Sequence, residues 1–386
     1  MTQHSGAGAG TGFDGVWRVP DDQVRSGRIP GFAAAVRIGG QVRIRAGGRM
    51  AVEPDSPPMR EDTLFRIASV TKPVGAALVL SLVQDGVLEL DEPVARWLPE
   101  MASPRVLADP AGPLDDTVPA RHPVTLRHLL TMTCGWGAVL ERSPLQAAMR
   151  EQGVSPGPLT PPMSADEFAA RVAALPLAFQ PGEGWLYDTG MDLAGIAAAR
   201  AAGRPLSGLV AERITGPLGM TSTGFMATDA GRLATAYQPG PAGLQVLDPP
   251  DGAFARPPHF EELSSGLVST APDLLRFFDA LADGGGPVLT GRSVALMTAD
   301  ALTGDQRRQA LPILGPGRSW GLGTAMDVEA PEPWMAPGRW GWDGGTGTTA
   351  RVDPARGTVG VLLTQRAMTG PLDGFDDFWA AVAAAA

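Results

Sequence analysis

At 386 residues, with 44% hydrophobic and 19% charged side chains, the chain has ample material for a globular core and room for more than one domain. A net charge of −10 argues against nucleic acid and against an anionic membrane surface as partners. One cysteine, Cys134, excludes an internal disulfide, and His4, His122, His128 and His259 lack metal-ligand spacing, so neither metal nor cofactor is expected. Residues 1–16 are Gly-rich and are expected to be a disordered tail. They lack the basic and apolar regions of a signal peptide, so the cytoplasm is the expected location.

Gly31–Ile38, the pair Gly39-Gly40 and Gln41–Arg45 read as a β-hairpin, from the glycine turn and the alternation of the second arm. Arg60–Arg66 leads into Ile67-Ala68-Ser69-Val70-Thr71-Lys72. From Val74 to Val83 nearly every residue is apolar, which predicts a short buried helix closed by Gly86. The run is too short to span a membrane. Pro73 fits the first turn, where the missing N–H costs nothing.

Asp91–Pro99 reads as a short amphipathic segment and 101–123 as a surface loop. A short helix follows Thr125, its cap. Loop resumes at 154–163, and Ser164-Ala165-Asp166-Glu167 opens a further helix to about Ala174. Met191–Ala202, Leu206–Ile214, Asp273–Leu281 and Gly291–Met297 read as helices, and the proline-rich stretch 236–258 as loop. Trp320–Met326, Gly338–Trp342, Thr348–Asp353 and Thr358–Thr364 read as strands and Phe375–Ala385 as a final helix. Strands at both chain ends with helices between them predict an α/β (α+β) fold. One antiparallel sheet (17–90 with 300–386) carries an inserted, mainly helical region (91–299), with the active site at their interface.

Lys72 is the sole lysine; the other 30 basic residues are arginine. Arginine keeps its proton near neutral pH, whereas a desolvated lysine can lose its own and act as a base. Ser69 lies one helical turn before Lys72, so the two side chains share a face and the pair reads as nucleophile and base. The helix N-terminus favours developing negative charge at that serine. Burial is expected to lower the lysine pKa.

Gly317-Arg318-Ser319-Trp320-Gly321 also matches a nucleophile-elbow pattern. That motif needs a strand–turn–helix context and a later histidine; the last histidine is His259, and the segment reads as strand. Ser319 is therefore rejected. A second proton-handling group is found in Tyr187, in a loop leading into a helix, where a phenol near a lysine can shuttle a proton.

The Ser69-Val70-Thr71-Lys72 stretch, Tyr187-Asp188-Thr189 followed by Asp192-Leu193-Ala194-Gly195, and Leu129–Gly135 together resemble the serine β-lactamase and penicillin-binding-protein superfamily, in its class C-like esterase branch. The resemblance spans about residues 25–370 and implies the β-lactamase/transpeptidase-like fold. By it, Trp342-Asp343-Gly344 stands as the third motif, lining the site. The oxyanion hole would be the N–H groups of Ser69 and Gly345, or, one residue later in register, that of Thr346. Thr189, Trp342, Asp343 and Gly344 would contact substrate. Thr189 replaces an asparagine of the penicillin-processing relatives, and the third motif lacks their lysine or histidine. Both departures favour esters over β-lactams. The resemblance implies a serine hydrolase acting through a Ser69 acyl-enzyme on a small ester or acyl donor, with Lys72 and Tyr187 as acid–base groups. Acyl transfer, amide or D-peptide cleavage, and a binding role without catalysis are the alternatives.

Overall fold

Alternating apolar residues near both chain ends build one sheet in the computed structural model, which describes residues 12–157 and 159–386. Gly31–Ile38 (β1) and Gln41–Gly48 (β2) form the expected hairpin. Gly39 and Gly40 turn it at φ of 55° and 76°, angles that side-chain-bearing residues rarely adopt. From the C-terminal part come Arg318–Trp320 (β3), Ala325–Asp327 (β4), Trp340–Gly344 (β5), Thr348–Asp353 (β6) and Thr358–Thr364 (β7). The seven strands run β2-β1-β7-β6-β5-β4-β3 with antiparallel neighbours. Phe32 on β1 lies opposite Thr364 on β7, so the two ends of the chain meet inside the sheet, one strand in from its edge.

Both faces of the sheet are covered, and the alternation of each strand says by what. Ala33, Ala35, Val359, Val361 and Leu363 enter the larger core; Phe32, Ala34, Val36 and Leu362 enter a smaller one with Val16, Trp17, Phe378 and Trp379. Helices Phe13–Arg25 (α1) and Asp376–Ala384 cover the second face. On the first lie Thr71–Gln84 (α2), apolar all round as predicted, and Ala271–Ala282, which packs on β1, β6 and β7. Thr189–Ala202 (α3) packs in turn against α2. We label Ala271–Ala282 α4 and Asp376–Ala384 α5. No helix among the described residues is long and apolar enough to cross a membrane.

Several local expectations need correction. Of the supposed tail 1–16, residues 1–11 lie outside the described residues, but Phe13–Val16 belong to α1, which buries Val16 and Trp17. Trp320–Met326 is a tight hairpin, with Gly323 at φ 73° lying on α2; a Cβ there would meet that of Ala76 at 2.5 Å. Residues 236–248 are a hairpin as well, Ala236–Gly240 against Gly243–Asp248, in a separate two-stranded ribbon. Its prolines are tolerated because such a ribbon leaves edges free. Arg105–Leu107 and Thr117–Pro119 likewise pair within the expected loop.

Candidate active site

Ser69 is held by ties to two distant parts of the chain. Phe65 and Arg66 pair with Ser269 and Val268, and the carbonyls of Arg66 and Ile67 accept hydrogen bonds from Thr346 Oγ1 (2.6 Å) and Thr348 Oγ1 (2.8 Å). Gly344 lets the end of β5 approach this segment: a Cβ there would meet the Ile67 carbonyl oxygen at 2.3 Å. Ser69 then sits in a tight turn, Ala68–Val70, that runs into α2. It is partly exposed while its neighbours Ala68 and Val70 are buried. Three non-glycine residues among those described have positive φ: Ala68 (43°), Met132 (62°) and Asp188 (91°). The first precedes Ser69, the last follows Tyr187, and Met132 accepts the Leu186 N–H at its carbonyl and the Asp188 N–H at its sulfur. Backbone strain of order 1–3 kcal/mol each is therefore concentrated where the side chains must be aimed.

Lys72, one turn after Ser69, is fully buried. Its three N–H groups are all committed: to Ser69 Oγ at 3.0 Å, to the Ser264 carbonyl at 2.9 Å, and to Asp188 Oδ1 in an ion pair. Here the expectation of a lowered pKa is overturned. Burial alone would lower the amine, but the Asp188 charge and then Tyr187 outweigh it and leave the ammonium raised above its ordinary value. The resting lysine is protonated, with a carboxylate behind it.

The Lys72 ammonium lies over the ring of Tyr187, 4.3 Å from its centroid. The phenol is walled by tryptophans, its ring centroid 5.7 Å from that of Trp342 and 5.9 Å from those of Trp185 and Trp320. Trp342 Nε1 donates to the Tyr187 hydroxyl at 2.6 Å, which leaves the phenolic proton free to point elsewhere. Burial pushes the phenol pKa up, against the pull of Lys72. Ser69, Lys72, Tyr187 and Trp342 are thus brought together, from three segments.

Asp343 is not part of this group. Side chains on a strand alternate, so with Trp342 facing Tyr187 its neighbour must face the other side. Asp343 there accepts from Thr349 Oγ1 at 2.5 Å and pairs with Arg351. It lines a small cavity with Trp379 of α5, and a substrate-binding role for it is withdrawn. Gly345 is exposed, and its carbonyl accepts the Met368 N–H at 2.9 Å; its own N–H enters none of the described turn hydrogen bonds. Thr346, the alternative in register, is buried and tied to Arg66. Ser319 is buried and donates to Asp300, far in role from any nucleophile.

Sequence reasoning assigned no role to Asp188, Asp192 or Glu262. Asp192 lies in an otherwise apolar turn of α3 and accepts the Ser264 N–H at 2.9 Å. An acid inside an apolar helical run is the signal that could have marked it.

The sequence model of the family described as Beta-lactamase matches residues 18–385. Protein Rv1367c of Mycobacterium tuberculosis is 39% identical over 327 residues, covering 80% of this chain and 79% of that protein. Esterase EstB of Burkholderia gladioli is 36% identical over 375 residues, 91% of each. The solved structure of EstCE1, described as a hydrolase with promiscuous acyltransferase activity, superposes with a TM-score of 0.84 at 26% identity, covering 97% of this chain and 98% of that one. A matching family model over nearly the whole chain, joined to a Ser-x-x-Lys pair in hydrogen-bond contact at the head of a buried helix, makes this chain a serine hydrolase of the beta-lactamase family.

Proposed function

We propose that the protein cleaves carboxylic esters through an acyl-enzyme on Ser69. The observation that carries this reading is the 3.0 Å contact between Ser69 Oγ and the buried Lys72 Nζ, beneath Tyr187. Because the resting lysine is an ammonium, it acts as a relay: Nζ gives one proton to Asp188 as it takes the Ser69 proton, and Oγ attacks the ester carbonyl. The tetrahedral oxyanion is met by the N–H groups of Ser69 and Gly345, the kind of pre-aimed donors that commonly supply the largest catalytic contribution. Collapse expels the alkoxide, which takes its proton from the Tyr187 hydroxyl. The tyrosine recovers it from Asp188 by way of Lys72. Water repeats the sequence on the acyl-enzyme and releases the acid. An alcohol in place of water gives acyl transfer, a second outcome supported by the likeness to EstCE1, described as a hydrolase with promiscuous acyltransferase activity.

Esters are favoured over β-lactams because no lysine or histidine stands in the third motif and Thr189 replaces the amide-binding asparagine. With purified enzyme, kcat/KM for p-nitrophenyl butyrate should far exceed that for nitrocefin. Adding a short alcohol should divert part of the acyl group into a new ester. A preference for nitrocefin would reject the ester reading.

A further inference from the structure

Beside Asp188 the protein keeps a cavity of about 440 Å³ whose wall also includes Thr189, Asp192 and Glu262. Its remaining lining is largely apolar, Phe168 and Leu159 among it, and no lysine, arginine or histidine contributes to it among the described residues. Asp188 belongs at once to this wall and to the Lys72 ion pair, so the cavity begins one side chain away from the catalytic lysine.

The polar atoms here are acceptors in excess. Three acids, Asp188, Asp192 and Glu262, face one cation, and that cation has no N–H left, its three being spent on Ser69, Asp188 and Ser264. Asp192 has one backbone N–H, from Ser264, and Glu262 receives the Ser265 hydroxyl at a long 3.4 Å. Thr189 is 1% exposed, and among the described residues its Oγ1 has no hydrogen-bond partner. An orphaned buried hydroxyl is costly, and a buried carboxylate without counter-charge is costlier still. Burial, then the Glu262 and Asp188 charges, push Asp192 well above the carboxylate range. Burial, opposed by a Thr160 hydrogen bond, and then the Asp188 charge bring Glu262 to about 7. Such groups are short of a positive charge. The acids do not form a metal-ligating cluster among the described residues, and the apolar remainder of the wall suits an alkyl chain.

We propose that this cavity binds a primary ammonium group on an alkyl arm of the substrate, with Glu262 and Asp192 taking its charge and Thr189 Oγ1 accepting one of its N–H groups. Three donors on a cation are what this arrangement lacks. The inference rests on the ester reading for its role in turnover, though not for the binding itself.

Two measurements test it. The first compares p-nitrophenyl 6-aminohexanoate with p-nitrophenyl heptanoate, which differ by an ammonium in place of a methyl. The wild type should favour the amino ester at least tenfold in kcat/KM, through KM, and Glu262→Gln and Thr189→Val should each reduce that ratio severalfold. The ratio within each variant cancels any general loss of turnover, and a thermal melt confirms folding. Heptanoate turnover with a ratio near one in the wild type, or a ratio unmoved by Glu262→Gln, overturns the proposal and leaves the esterase standing. The second is calorimetric titration with n-hexylammonium chloride, with 1-hexanol as control, which needs no turnover. Saturable binding of the ammonium alone, weakened in Glu262→Gln, is expected even if neither ester is cleaved. Absence of binding overturns the proposal.

Discussion

Two buried charge clusters lie back to back across β5. Trp342 faces the Lys72–Asp188–Tyr187 group, and the next residue, Asp343, faces a cluster of Arg318, Arg339 and Arg351 with Asp327. Both join acids to bases, but they are made of different chemistry. Behind the sheet the cations are guanidiniums, flat and strongly basic, with Arg318 lying over Trp334 and Arg339 over Trp334 and Trp379. In front stands the sole lysine, a compact amine bound to a hydroxyl, a carbonyl and a carboxylate. Burial pushes Arg339 down to about 9, with Arg351 adding repulsion, so even strong desolvation leaves that cluster charged at neutral pH. It holds β4, β5 and β6 to α5. The front cluster contains groups that can exchange protons. In the proposed mechanism the sole lysine stands where a proton moves.

The sharpest way to break this contrast is to place the rear cluster's chemistry in the front. Lys72→Arg keeps the positive charge beside Asp188 but cannot relay a proton. Acylation should fall by about 10²–10⁴-fold, the range for loss of a general base, while a thermal melt shows a folded protein. A folded variant that acylates at the wild-type rate would make Lys72 a structural cation.

The complementary change is Asp343→Asn, which should spare ester turnover and cost stability. It leaves Arg351, 1% exposed at its side chain, without its carboxylate. Breaking one partner of a buried pair costs about 3–5 kcal/mol, readable in a denaturant melt. The pH dependence has a definite sign. Burial works to raise Asp343, but Arg351, Arg318 and the Thr349 hydroxyl together hold it below its ordinary value. A depressed carboxyl adds stability that is present above the unfolded pKa and is lost as pH falls through the folded one. The wild type should therefore weaken as the pH drops below about 4, and the variant should show a flatter acid limb. Turnover lost in proportion to Lys72→Arg, with stability intact, would return Asp343 to the active site.

These residues also show what a sequence makes legible. Ser69 and Lys72 could be found because helical spacing makes them neighbours and the lysine has no competitor. The β1–β2 hairpin and α2 could be read because a Gly-Gly turn and an unbroken apolar run are local signals. Asp343 was misassigned because a motif identifies a segment and not a face; the two-residue period of the strand, once Trp342 is committed to the site, corrects it. Of the acids around Lys72, Asp192 could have been marked by its apolar run, but nothing local placed Asp188 or Glu262 beside the lysine. Asp188 lies 116 residues from Lys72 in sequence, and Glu262 arrives from a loop whose Leu263 and Ser264 touch Gly195 and Asp192 of α3. Prolines hid the 236–248 hairpin, since an edge ribbon tolerates what a central strand does not. The short helices Pro144–Glu151 and Gly304–Leu314 passed unnoticed as well.

The central claim is a covalent intermediate on Ser69. Rapid quenching of the enzyme with p-nitrophenyl butyrate, followed by proteolysis and mass spectrometry of the peptides, tests it directly. The account predicts one butyryl group on the peptide carrying Ser69 in the wild type and none in Ser69→Ala, whose turnover should fall by about 10⁴-fold or more. A butyryl group on the Ser319 peptide, or near-wild-type turnover with no acylated peptide, would contradict it.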